Sequence, residues 1–179
     1  MAVEKLVFNS REEWLQARKN HIDGSDARAE EHLRALFFLD FPQYQVFYDE
    51  NNMFLNSSYP WMHASLDGEL VDEDGRYGIL EIKTTNILQS MQKEKWRDRI
   101  PDNYFCQVLH YLAMTGYEFA VLKAQPKSEW DGELRITTKH YFIERKDVEE
   151  DIKYLIEAEK RFWKCVESGR RLDLILLVI

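Results

Sequence analysis

Cysteine is nearly missing, with only Cys106 and Cys165 in 179 residues. Two thiols build neither a disulfide framework nor a ligand cluster, and both fall in helical patterns, where they read as small core residues. Glycine and proline are also scarce, at 7 and 4, which excludes collagen-like and linker-like chains. The only long apolar run is LDLILLVI at the C-terminal end, too short to cross a bilayer, so no membrane partner is expected. The N-terminus lacks a basic region followed by an apolar stretch, so no signal peptide is expected and the cytoplasm is the default compartment. A positive balance is missing too. The net charge of −8 argues against a protein that coats DNA nonspecifically. It leaves room for a site built of acids and for contacts with a polyanion confined to one local groove.

What is present is a chain rich in aromatics and long enough to bury a sizeable core, read as one domain over residues 1–179. Ser10 can cap a first helix, expected to run through Lys19 with Glu12 and Glu13 in its first turn, and the loop HIDGSD follows. A second helix runs from Asp26 to Leu39 with Leu33, Leu36 and Phe37 inside. Strands are expected at Gln45–Tyr48, Met62–Glu69 and Tyr77–Thr84. A polar connection, Ser90–Pro101, leads to a helix over Asp102–Thr115 that Gly116 closes. Strands Phe119–Ala124 and Leu134–Phe142 come next. A last helix carries Val148, Ile152, Leu155, Ile156, Trp163 and Val166 at helical spacing. The order α-α-β-β-β-α-β-β-α describes an α/β (mixed α+β) chain, with a central mixed β-sheet flanked by helices. Basic residues gather at Arg18-Lys19 and at Lys93–Arg99, and each cluster by itself reads as a solvated helix face.

The stretch His63–Lys83, HASLDGELVDEDGRYGILEIK, is the most informative. In an extended strand Ile79, Glu81 and Lys83 share one face, and Leu80, Ile82 and Thr84 the other. The Asp72–Gly75 turn can fold Asp67 back beside Glu81 as a hairpin. Two carboxylates on adjacent strands suit a hard divalent cation such as Mg²⁺, and Lys83 beside them can orient a water or offset charge in a transition state. An exposed cross-strand ion pair is the simpler reading of Glu81-x-Lys83. In the helix DNYFCQVLHYLAMTG, Gln107 and Tyr111 lie four apart on one face. There they either hold a phosphate or a metal-bound water, or pack Tyr111 in the core with Gln107 at its edge. His110 falls on another face and reads as a surface or core histidine rather than a ligand.

Taken together, Asp67, Glu81-Ile82-Lys83 and Gln107-x-x-x-Tyr111 resemble the PD-(D/E)XK nuclease superfamily. More narrowly, they resemble the lambda-type phage exonucleases, or YqaJ-like viral recombinase family. Trp14-Leu-x-x-Arg18, the loop Ile22-x-Gly24-Ser25-Asp26 and the segment Ala29–Phe37 are similar to that family's N-terminal stretch and glutamate-bearing helix. The resemblance implies a restriction-endonuclease-like core and a Mg²⁺-dependent exonuclease, with Mn²⁺ as a substitute, that uses two ions. Its substrate would be linear double-stranded DNA, degraded from the 5′ end to leave 3′ single-stranded tails for recombination. It also implies a single-strand annealing protein as partner, a homotrimer, and a bacterial cell, phage or prophage origin.

Carried over by position, Asp67, Glu81, the Ile82 carbonyl and Glu30 would hold metal. Lys83 would position the attacking water, Gln107 and Tyr111 would support the site, and Arg18 and Ser25 would meet the terminal 5′ phosphate. Glu30 is preferred to Glu31 on physical grounds as well, because it lies three before Leu33 and seven before Phe37, on the inward face. An ordinary first-turn acid explains Glu30 equally well from the residues alone. The chain departs from the family between Asp26 and Glu30, where only Ala27-Arg28-Ala29 stands in place of a longer stretch, and His21 and Asp23 occupy positions where glycines are common. Another PD-(D/E)XK endonuclease and an inactive DNA-binding module are the competing readings. The complete Asp, Glu and Lys set argues against the inactive module.

Overall fold

The computed structural model describes residues 3–7, 27–87, 94–130 and 133–171. The elements in chain order are β1 (Val3–Val7), α1 (Ala27–Asp40), β2 (Gln45–Phe47), β3 (Asn52–Asn56), β4 (His63–Ala64), β5 (Gly68–Val71) and β6 (Tyr77–Ile87). Then come α2 (Asp102–Thr115), β7 (Phe119–Trp130), β8 (Glu133–Ile136), β9 (Lys139–Glu144) and α3 (Glu149–Glu167). They form two sheets. A small one runs β1-β3-β4, and a six-stranded one runs β2-β5-β6-β7-β8, with β9 also paired to β7. The large sheet is mixed: β6 and β7 are parallel, while β5 is antiparallel to β6 and β9 to β7. Helix α2 makes the crossover that a parallel pair requires.

Both faces of the large sheet are covered, which is why β6 and β7 read as nearly continuous apolar runs. One face carries Ile79, Ala120, Leu122 and Ala124 and packs against Val108, Leu109 and Leu112 of α2 and Ile152 of α3. The other carries Leu80, Ile82, Phe119 and Val121 and packs against Leu33 and Phe37 of α1. Gly78 makes room for the side chain of its neighbour on β7, since a Cβ there would lie 2.3 Å from the Phe119 ring. The β5–β6 turn is built by Asp72, whose Oδ1 accepts from the N–H groups of Asp74 (3.0 Å) and Arg76 (2.9 Å). Gly75 supplies the left-handed φ of +78° that the turn needs.

Several expectations need correction. The strand expected over Met62–Glu69 is two strands in two different sheets, broken at Ser65–Asp67. Asn52 makes the break: its side chain accepts from the Leu66 N–H (2.9 Å) and donates to the Leu66 carbonyl (3.0 Å), doing for that peptide what a neighbouring strand would do. The strand expected over Leu134–Phe142 is likewise split into β8 and β9, which pair with different stretches of β7. Strands β1 and β3 are additional to those expected. Leu36 and Val166, expected inside, are 47% and 48% exposed on the outer sides of α1 and α3. Cys106 is exposed and Cys165 half-exposed, so neither is a core residue; Cys106 lies across α2 from its buried Val108–Leu112 side. The first helix and the HIDGSD loop lie outside the described residues. Among the described residues, no helix is long and apolar enough to cross a membrane.

Candidate active site

The hairpin brings Asp67 to Glu81 by an economical device. Strand β5 pairs with β6 only as far as Gly68, opposite Leu80. One residue earlier the backbone has left the ladder, and the Asp67 side chain takes its place: Oδ2 accepts from the Ile82 N–H at 2.7 Å. A strand residue directs its N–H and C=O to the same edge, so the Ile82 carbonyl also lies on the Asp67 side, beyond the end of β5. Glu81 is 2% exposed. Its Oε1 meets the Lys83 Nζ at 2.5 Å, while its Oε2 is buried and, among the described residues, has no hydrogen-bond partner. The simpler reading, a solvated cross-strand pair, does not describe a carboxylate in that position.

The electrostatics follow from burial. Asp67 is pushed up to about 7, first by burial and then by the Glu81 charge, against the pull of the Ile82 N–H, Lys83 and Arg34. Burial also raises Glu81; Lys83 opposes the shift and the Glu30 charge adds to it. Burial works to lower the Lys83 ammonium, yet the charge and hydrogen bond of Glu81, then the charge of Asp67, outweigh it and hold it above its ordinary value. Glu30, half-buried in the first turn of α1, thus reaches the same site from the other layer.

Gln107 and Tyr111 pair on α2, with Gln107 Nε2 donating to the Tyr111 hydroxyl at 2.8 Å. Tyr111 packs in the cluster that contains Ile79, on the Glu81 side of the sheet. His110 is committed elsewhere, since Nδ1 lies 2.7 Å from Glu159 Oε1 and Nε2 lies 3.1 Å from the His63 carbonyl. The expected phosphate residues Arg18 and Ser25 lie outside the described residues.

Sequence reasoning missed two contributors. Asn52 holds the Leu66 peptide and so sets where Asp67 emerges. Arg34 donates from Nε to the Asp67 carbonyl at 2.5 Å, with its guanidinium 3.5 Å from the Tyr48 ring centre. Neither carries a motif, and no spacing in the sequence announces either.

Among the described residues, no three His, Cys, Asp or Glu side chains converge into a ready-made metal cluster. A divalent cation is nevertheless compatible with the residues present. The donors are carboxylate and carbonyl oxygens, as a hard cation prefers, and the buried Glu81 Oε2 needs a partner.

The sequence profile of the YqaJ-like viral recombinase domain matches residues 29–118. The chain belongs to that family. The uncharacterised protein YqaJ of Bacillus subtilis (strain 168) is 35% identical over 111 residues, which are 59% of this chain and 29% of that protein. The match thus spans less than a third of that relative's length. Among solved structures, the chain is similar to an alkaline exonuclease (LHK-Exo) from Laribacter hongkongensis. That match has 19% identity, covers 86% of this chain and 79% of the other, and has a TM-score of 0.43. The same enzyme in complex with dAMP matches at 17% identity, over 87% and 82% of the two chains, with a TM-score of 0.47. The family profile covers Glu30, Asp67, Glu81, Lys83, Gln107 and Tyr111, and ends before β7.

Proposed function

We propose that this YqaJ-like domain is a Mg²⁺-dependent exonuclease that degrades linear duplex DNA from the 5′ end and leaves a 3′ tail for recombination. The observation that carries the reading is Glu81: a buried carboxylate with one oxygen on Lys83, the other without a partner among the described residues, and Asp67 clamped beside it. Such a group is costly to keep for stability alone. Asp67, Glu81, Glu30 and the Ile82 carbonyl would hold two ions, Mg²⁺ or its substitute Mn²⁺. When bound, the cation supplies Lewis-acid charge against the phosphodiester.

The protein's own contribution is positional. Without metal, Glu81 and Asp67 hold the Lys83 ammonium above its ordinary value. In this reading Lys83 orients the attacking water and offsets charge on the phosphorus oxygens. Glu81, anchored between Leu80 and Ile82 in the core, fixes that lysine in place. Gln107 and Tyr111 buttress the α2 side. Arg18 and Ser25 would take the terminal 5′ phosphate. A homotrimer around the DNA and hand-over of the tail to a single-strand annealing protein belong to the same reading.

The test is digestion of linear duplex labelled at either end, with and without Mg²⁺, beside covalently closed circles. The reading expects Mg²⁺-dependent release of the 5′ label first and intact circles. Cleavage of circles would turn it to an endonuclease, and binding without cleavage in either metal would turn it to an inactive DNA-binding module.

A further inference from the structure

Arg34 is an arginine whose geometry exceeds what a structural clamp requires. One edge is pinned, with Nε on the Asp67 carbonyl. One face is covered, with Tyr48 stacked 3.5 Å away. Pinning and stacking together fix the plane of the guanidinium, so its two terminal nitrogens project in a set direction as a fork. The pair sits at an accessible rim: Arg34 is half-buried and Tyr48 is 42% exposed. A carbonyl clamp alone would need a single donor and no aromatic platform.

Charge gives the fork its ligand. The Glu30 charge acts on Glu81 and the Glu81 charge on Asp67, so the place where a DNA strand would have to arrive is acidic and repels it unless cations offset the charge. Two cations act on Asp67, Lys83 and Arg34, and Lys83 is bonded to Glu81. Arg34 is the one stacked on the exposed Tyr48 at the rim, and a planar fork matches two oxygens of one phosphate.

We infer that Arg34, held flat by Tyr48, binds a backbone phosphate of the DNA strand that enters the carboxylate site, and that Tyr48 serves as its positioning platform. The inference rests on the nuclease reading above and adds a substrate contact to it.

The experiment compares wild type, Arg34→Ala, Arg34→Lys and Tyr48→Leu. Duplex binding is measured over a range of salt with Ca²⁺ replacing Mg²⁺, cleavage kinetics with Mg²⁺, and melting with and without Mg²⁺. Arg34→Ala should lower the salt slope of binding by about one counterion and raise KM about tenfold, leaving kcat within a few-fold. Arg34→Lys should keep the slope and lose much of the affinity, because a point charge cannot fork. Tyr48→Leu should raise KM several-fold with the slope unchanged. Wild-type slope and KM in Arg34→Ala overturn the inference. Should Arg34→Ala fail to fold, wild-type KM in both Arg34→Lys and Tyr48→Leu overturns it equally. If wild type itself neither binds nor cuts duplex, the nuclease reading has failed and the inference falls with it.

Discussion

Two lysines on neighbouring parallel strands solve the problem of a buried charge in opposite ways. Lys83 on β6 and Lys123 on β7 are one step apart in register, with Ile82 opposite Lys123 and Lys83 opposite Ala124, so they point to opposite faces of the sheet. Lys123 is itself 1% exposed and reaches Asp40 at 3.5 Å, a carboxylate 50% exposed at the end of α1. Its charge is led outward to a solvated partner, and burial holds its ammonium below the ordinary value despite that partner. In the other pair the acid is the buried member, and the lysine, 20% exposed, is the one that emerges. Among the described residues nothing bonds Glu81 Oε2, and a second carboxylate stands nearby. The Lys123 pair is an accommodation to burial, whereas the Glu81 pair adds an anion to an anion. A bound cation, as proposed above, would relieve that arrangement.

The largest break in this comparison is in catalysis. Asp67→Asn and Glu81→Gln should abolish cleavage with the fold retained, since the amide oxygen introduced by Asp67→Asn can still accept from the Ile82 N–H. Thermal melts with and without Mg²⁺ check it: a ligand that binds only the native state stabilises it, so wild type should gain from Mg²⁺ and both variants should gain less. Equal gains in all three would return Glu81 to a structural role. Lys83→Ala should then cost on the order of 10²–10³ in rate while keeping most of the Mg²⁺-induced shift. Near-normal turnover would make Glu81 and Lys83 a mere ion pair.

A second break uses pH in the metal-free protein. Asp67 holds its proton up to about 7 in the folded chain, against 3.8 as its ordinary value. Below that ordinary value both states are protonated and the group contributes nothing. Between 3.8 and about 7 the unfolded chain gives up the proton first, so stability falls as pH rises, and above about 7 the penalty is complete. Asp67→Asn should flatten that fall, and Mg²⁺ should offset it most above that window. A wild-type stability that rises across this window would mean that the carboxylate is not buried as described.

These effects trace back unequally to the sequence. Glu81 and Lys83 were legible because an acid and a base inside an apolar run break the pattern that a doubly covered strand demands. Helix α2 was legible from its period and from Gly116, whose φ of +75° and N–H bond to the Leu112 carbonyl end it. The break at Ser65–Asp67 was not, because it depends on one asparagine substituting for a strand across 14 residues of chain. Strand β3 was hidden for a related reason: NMFLN is flanked by asparagines and serines that read as turn, and only pairing with β1 and β4 extends it. The contacts of Arg34 join three elements, and no local spacing encodes such a meeting.

The smallest effect is expected on the Lys123 side, and it separates the two pairs most cleanly. Replacing a buried ion pair with apolar groups of similar volume is often neutral or stabilising, whereas removing one partner leaves a buried charge uncompensated. Lys123→Met keeps the stem that runs past Phe37, whose ring centre lies 5.9 Å from Nζ, and drops the charge. It should melt at or slightly above wild type and cleave DNA at the wild-type rate. Asp40→Asn should lower stability by about 1 kcal/mol, less than a fully buried pair would cost, because half of Asp40 is already in water. In the double variant the Asp40→Asn cost should vanish, since it exists only while Lys123 is charged; denaturant melts of the four proteins measure this coupling directly. An undiminished Asp40→Asn cost in the Lys123→Met background would place the role of Asp40 in ending α1 instead of in the pair. A loss of cleavage in Lys123→Met would mean that both faces of the sheet serve the site, and the contrast between the two lysines would be gone.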